Sequence, residues 1–312
     1  MNASSRDVAW EVDGRESSVA LKRSFGYSFS VNGKSDGHSI LDAGTQVMSP
    51  LVGALLHPNP KRGLVIGLGT GSSAGWLGAV PTIEHVDVYE LEDAILRVAR
   101  DCAPVNHGLF DNPKVEITIG DGRELLLTTR ERYDIIFSEP SNPYRAGISS
   151  LFTVEFYRAA AERLEEQGLF LQWLQAYEVD GEVVASVLAS MSEVFPYVEV
   201  WEVHRADLLL VGSKVPIDHD ATRIRQKASE EPFRSALAHT WGVAGAEGFY
   251  SGFIASSELA RAVHQNSAAG LNTDDLPRIE YGFARGIGVP SNFYLATLRA
   301  LAARRGWNEP VL

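Results

Sequence analysis

The chain of 312 residues carries a single cysteine, Cys102. No intrachain disulfide can form, and a reducing, cytoplasmic compartment is the expectation. Positive charge is scarce: 28 Lys and Arg stand against 40 Asp and Glu, a net charge of −12. That balance argues against nucleic acid or an anionic membrane as partner, because both need a basic face; it suits a small cationic substrate. Apolar runs stay well short of the ~18 residues a bilayer span requires, so no membrane segment is expected. The opening MNASSRDVAW lacks the basic and apolar regions of a signal peptide. Eight histidines are scattered with no pair at metal-ligand spacing, and no metal is expected. There are no internal repeats.

What the chain does have is one dense stretch, Gly63 to Glu92. A short apolar run, Leu64-Val65-Ile66, passes into glycines at alternate positions, Gly67, Gly69 and Gly71. A helical segment and a second apolar strand, Val86 to Leu91, follow, the latter carrying Glu90 nineteen residues beyond Gly71. Glycine lets backbone approach a ligand closely, and the next helix offers free N–H groups. A carboxylate about 20 residues on, at the tip of the second strand, is placed to grip a ribose. A glycine triplet alone also occurs in plain tight turns; here strand, helix and carboxylate agree on a nucleoside site. Ser72-Ser73 lacks a nucleophile-elbow pattern and no P-loop lysine follows, which disfavours hydrolase and NTPase chemistry.

The stretch sits in a regular alternation of strands and helices. Strands are expected at 64–68, 86–91, 115–119, 133–137 and 169–174, with crossover helices between them, among them Val154–Glu166 stopped by Gly168. Two further strands, 198–203 and 207–211, read as a hairpin at one sheet edge. Before them, Asp13-Gly14 and Asn32-Gly33 signal tight turns in a small antiparallel sheet. A helix over 45–56 follows, ended by His57-Pro58-Asn59-Pro60. After Pro216 the pattern turns to helices with irregular links. The expected division is an N-terminal hairpin region 1–44, a Rossmann-like nucleoside-binding domain 45–214 and a mostly helical extension 215–312.

In such doubly wound sheets ligands lie beyond the carboxyl ends of the strands. The polar clusters fall there: Gly67–Gly71, Glu90, Asp121-Gly122, Glu139–Asn142 and Gln172. Asp121 can cap the next helix and also accept from an adenine amino group. Glu139-Pro140-Ser141-Asn142-Pro143 is stiffened by its prolines, so Glu139 is held where it could orient an amine and take its proton.

These residues together resemble the spermidine synthase (polyamine aminopropyltransferase) family. The matching run is His57-Pro-Asn-Pro-Lys, Val65-Ile-Gly-Leu-Gly-Thr-Gly, Glu90, Gly120-Asp-Gly-Arg, Tyr133-Asp-Ile-Ile, Pro143, Leu151-Phe-Thr and Glu155-Phe-Tyr, over about residues 25 to 213. It looks closest to a subgroup often joined to a membrane transporter-like region, with Glu-Pro-Ser-Asn-Pro and, later, Thr273 to Glu280. The resemblance implies an α/β fold: a Rossmann-like, seven-stranded, class I methyltransferase-type sheet with a small N-terminal sheet and a C-terminal helical extension. It implies Gln46, Gly67, Gly69, Thr70, Gly71, Glu90, Asp121 and Gly122 around a sulfonium nucleoside. It also implies Glu139 and Asn142 as catalytic, with Tyr144, Arg145 and Gln172 toward the substrate, a small amine or other nucleophile. A homodimer is a further expectation.

Three departures stand out. The family's Gly-Asp-Gly has become Gly69-Thr70-Gly71, its Asp-x-x-Asp-Pro has become Glu139 with Asn142, and its Tyr-Gln-Glu-Met has become Thr45-Gln46-Val47-Met48. An Asp at position 70 would repel a substrate carboxylate, and Thr70 would not. Intact S-adenosylmethionine is therefore the favoured co-substrate, with methyl or amino(carboxy)propyl displacement open. Aminopropyl transfer from decarboxylated S-adenosylmethionine is the alternative, and a non-catalytic nucleoside-binding module the second.

Overall fold

Alternation of apolar residues over short runs fixes most of the architecture. The computed structural model describes residues 7–141, 147–205, 207–266, 268–286 and 293–310. Asn142, Tyr144 and Arg145 lie outside them. The N-terminal sheet is β1 (Val8–Asp13), β2 (Ser18–Ser24), β3 (Gly26–Val31) and β4 (Lys34–His38), antiparallel in chain order. Asn32-Gly33 makes the expected two-residue turn, with φ of 49° and 77° joining Val31 to Lys34. Asp13-Gly14 does not: Asp13 faces Ser18, so four residues separate the strands.

Helix α1 (Ala43–Leu56) leads into the main unit: β5 (Arg62–Ile66), α2 (Ser72–Gly78), β6 (His85–Glu90), α3 (Ala94–Asp101), β7 (Val115–Ile119), α4 (Gly122–Thr128), β8 (Tyr133–Ser138), α5 (Val154–Arg163), β9 (Leu164–Gln175), α6 (Gly181–Ser192), β10 (Tyr197–His204) and β11 (Asp207–Ser213). The remainder supplies α7 (Ala221–Ser229), α8 (Phe233–Ala236), α9 (Gly245–Tyr250), β12 (Phe253–Ala255), α10 (Ser257–Asn266), α11 (Arg278–Gly286) and α12 (Leu295–Arg305). Side-chain caps start several helices: Thr153 accepts from Phe156 N, Asp180 from Val183 N and Asp220 from Thr222 N.

The main sheet runs β12-β10-β11-β9-β8-β5-β6-β7, with β5 to β9 parallel and β10, β11 and β12 joined antiparallel. Both faces are buried, as a sheet covered by crossover helices requires. Successive residues therefore enter different cores: Val65, Ile135 and Phe137 on one side with Leu51 and Leu55 of α1, Leu64, Ile66 and Ile136 on the other with Phe156 of α5 and Val187 of α6.

Two expectations need correction. The sheet has eight strands, because β12 pairs outside β10 through Val200–Ala255 and Trp201–Phe253, so the β10–β11 hairpin is not the edge. Three residues carry too little alternation to read as a strand. Helix α5 stops at Arg163, and Gly168 lies inside β9. A Cβ there would sit 2.8 Å from the Tyr133 carbonyl oxygen, so this glycine serves strand contact rather than a helix end. No helix among the described residues is long and apolar enough to cross a membrane.

Phe170 on β9 is fully buried, stacks on Phe195 at 5.5 Å and meets Tyr157 edge-on at 5.6 Å. Phe170→Ala is expected to cost roughly 3–5 kcal/mol, while Leu127→Ala, 65% exposed on α4, stays within about 0.5 kcal/mol. Urea unfolding of the two variants measures the contrast.

Candidate active site

The carboxyl rim of the parallel strands is stitched past their ends by backbone bonds: Gly67 N to Tyr89 O, Gly120 N to Glu90 O and Glu139 N to Ile66 O, each 2.9 Å. This brings the glycine turn after β5, Glu90 ending β6, Asp121 after β7 and Glu139 after β8 around one cavity of about 880 Å³. That volume is within the ordinary range for a small-molecule site. The N-terminal sheet closes over it with Phe29, Val31 and Asp36, and the β10–β11 hairpin contributes His204 and Asp207.

Gly67 shows why the first turn needs glycine. Its φ is +101°, and a Cβ would lie 2.4 Å from the carbonyl oxygen of Glu139. Glu90 accepts from Leu68 N at 2.9 Å on one oxygen and from Glu92 N at 2.9 Å on the other. The strand tip is thereby tied to the turn, and each oxygen keeps a lone pair for a hydroxyl. Burial pushes this carboxyl above its usual range, against those backbone bonds. Asp121 is exposed on the rim and caps α4, accepting from Arg123 N at 2.7 Å. Ile148 and Leu151 line the same wall.

Glu139 is half-buried and accepts a 2.5 Å hydrogen bond from Ser73 Oγ. Desolvation drives its carboxyl up to about 8; the Ser73 bond opposes this, and Asp207, Asp42 and Asp36 add repulsion. The next residue but one, Ser141, donates to Asp36 Oδ2 at 2.6 Å and so fastens this loop to β4. Burial also raises Asp42, the residue before α1. Among the described residues, Lys34, His204 and Arg205 are the basic groups on the wall, and Lys34 is paired with Glu178 at 3.4 Å. The cavity is thus dominated by carboxylates, as the net charge suggested.

Gln46, Gly67, Gly69, Thr70, Glu90, Asp121, Gly122 and Glu139 all line the cavity. Gly71 does not; it starts α2 with φ +80° against Asn106 and Leu109. Thr70 differs from expectation. Its hydroxyl, 1% exposed, donates to Gln46 Oε1 at 2.6 Å and lies 2.9 Å from Ser72 Oγ, so it is not offered to a substrate carboxylate. Gln172 is fully buried beneath the rim, its amide spent on the Trp173 and Ser138 carbonyls. It points to support of the strand ends rather than to substrate.

Ser73, Asp36, Asp42 and Asp207 were not singled out in the sequence. Ser73 had a signal, one helical step from the glycine turn; the aspartates reach the site only through tertiary packing. His85, Asp87 and Glu116 also converge, their ligand atoms within 4.8 Å of one another, at the opposite end of β6. Asp87 is already held there by Arg62 at 3.1 Å and the Tyr133 hydroxyl at 3.0 Å. The thiol of Cys102 is buried and pushed up to about 12, which leaves it inert at neutral pH.

Residues 46–204, just over half of the chain, match the family described as "Spermine/spermidine synthase domain". A polyamine aminopropyltransferase of Nitrosomonas europaea is 30% identical over 185 residues, 57% of each chain. One of Thermococcus onnurineus is 30% identical over 175 residues, 53% of this chain and 60% of its own. The matches span little more than half the length of these curated relatives. Among solved structures, spermidine synthase of Thermotoga maritima superposes with a TM-score of 0.62 at 23% identity, covering 73% of this chain and 79% of its own. A probable spermidine synthase of Corynebacterium glutamicum gives 0.56 at 19%, covering 85% and 96%. At these identities the structures establish likeness of fold.

The raised carboxyls make stability depend on pH. Glu139 holds its proton more tightly folded (about 8) than at its ordinary 4.5. Its contribution is complete below 4.5 and is lost as pH rises toward 8. Ligand-free protein should therefore melt at a lower temperature at pH 8 than at pH 6.5, with a shallower slope in Glu139→Gln. Identical slopes in thermal scans would contradict the assignment.

Proposed function

Because the chain belongs to the spermine/spermidine synthase family, we propose that it is an aminopropyltransferase, moving the three-carbon amine of decarboxylated S-adenosylmethionine onto a small amine. The observation that carries this reading is the carboxylate-lined cavity at the strand rim. Decarboxylated S-adenosylmethionine brings a sulfonium and an ammonium with no compensating anion; the intact form brings a carboxylate into a cavity already crowded with them. The ground for favouring the intact form was a free Thr70 hydroxyl, and that hydroxyl is committed to Gln46. The relatives named polyamine aminopropyltransferase support the same choice.

In this reading Glu90 receives the ribose hydroxyls on its remaining lone pairs, and Asp121 faces the adenine amino group while capping α4. Ile148 and Leu151 flank the base, and Gly67 and Gly69 floor the turn. The acceptor nitrogen attacks the carbon next to sulfur in line; the C–N bond forms as the C–S bond breaks, and neutral methylthioadenosine leaves. The proton released by the attacking nitrogen passes to Glu139. A base near 8 is well matched to that task, since it both draws an ammonium toward it and can hold the proton at neutral pH. Ser73 fixes the carboxylate, and the tie between Ser141 and Asp36 holds the loop that carries it.

Product analysis tests the transfer. Decarboxylated S-adenosylmethionine with 1,4-diaminobutane should release methylthioadenosine, and intact S-adenosylmethionine far less. S-adenosylhomocysteine as the main product from the intact form would mean methyl transfer instead.

Glu139→Gln tests the base. It should lower kcat by roughly 10²–10⁴-fold and leave methylthioadenosine affinity unchanged. The wild-type acid limb of kcat/KM near pH 8 should vanish with it; equal turnover in the variant would remove Glu139 from the mechanism.

A further inference from the structure

Asp207 opens β11 on the cavity wall and is 8% exposed. One oxygen accepts a 2.6 Å hydrogen bond from Thr45 Oγ1 of α1. The other, Oδ1, is shut off from water and has no hydrogen-bond partner among the described residues. The Trp173 indole on neighbouring β9 is near enough to ease the carboxyl's burden, yet its Nε1 also completes no hydrogen bond. Asp42 adds a like charge on the side of α1. A buried carboxylate with a single neutral donor and a negative neighbour is an incomplete arrangement, because desolvation of a charge needs a counter-charge and several donors to offset it.

A structural role alone would not call for a charge. Thr45 and Asp207 do join α1 to β11, but a neutral amide could accept the same bond. An ammonium with three N–H donors supplies both what Oδ1 lacks and the missing positive charge. Position narrows the ligand further. Glu139 ends β8 and Asp207 begins β11, with β9 between them. Two strand spacings are ~9–10 Å, a span that a short diamine bridges with one nitrogen at each carboxylate.

We propose that Asp207 anchors the far ammonium of a diamine acceptor whose near nitrogen is presented to Glu139, and thereby selects diamines over monoamines. This rests on the aminopropyl-transfer reading for the near nitrogen, while the anchor itself is a binding property. Thr45 orients the carboxylate, and Trp173 walls the apolar stem between the two nitrogens.

Calorimetry on protein saturated with methylthioadenosine separates the two. Wild type should bind 1,4-diaminobutane well ahead of 1-aminobutane. Asp207→Asn should erase that margin by roughly 10- to 100-fold through the diamine, with monoamine and methylthioadenosine affinities unchanged. Asp207→Glu, which keeps the charge on a longer stem, should shift preference toward 1,3-diaminopropane. A diamine margin that survives in Asp207→Asn, or an unaltered length preference in Asp207→Glu, overturns the anchor. Diamine selection that depends on Asp207 in a protein that transfers no aminopropyl group would instead retain the anchor and reject the transfer reading.

Discussion

The approach of Gly67 to Glu139 is the constraint on which the site depends. In-register parallel pairing of β5 with β8 carries both chains to the same height, and Glu139 N continues the ladder onto Ile66 O. The turn after β5 must then pass so close to the Glu139 carbonyl that no side chain fits between them. A glycine there does two things at once: it shapes the nucleoside floor and sets the height of the carboxylate beside it. Ser73, one helical step further, locks the carboxylate itself. The nucleoside half and the reactive half are therefore a single rigid unit.

Charge is the second organising element, and it works against the empty protein. Asp36, Asp42, Glu139 and Asp207 come from four different elements and raise one another's protonation through burial and repulsion. Such a cluster is strained until cations enter, which is the form of complementarity expected for a substrate pair carrying several positive charges. Favouring small cations was already possible from the net charge; where the anions gather was not.

The parallel core was legible because its signals are local. Short apolar runs with helical segments between them gave β5 to β9 almost residue for residue, and the rim positions of Glu90, Asp121 and Glu139 followed from strand ends alone. Asn32-Gly33 fixed its hairpin for the same reason. The failures are non-local. Thr70 was assigned to a ligand because its partner Gln46 lies 24 positions away on another helix. Gln172 sits on the strand that reaches the rim, but its side chain turns into backbone carbonyls. Gly168 resembled a helix end although its need arises from the facing strand. Asp36 and Asp207 belong to the covering sheet and the antiparallel hairpin, whose placement over the rim no sequence period encodes.

The short strand β12 has a bearing on where this polypeptide could be trimmed. It lies along the outer margin of β10, and Phe253 packs edge-on against Trp201 while Arg299 of α12 clasps Glu202 at 2.7 Å. Cutting before Phe253 would strip that margin and leave unpaired amides and carbonyls beside a large indole, an adhesive border of the kind that recruits stray strands. The minimal autonomous body therefore extends past the last parallel strand by some distance, and the tail acts as the selvedge of the fabric rather than a loose thread.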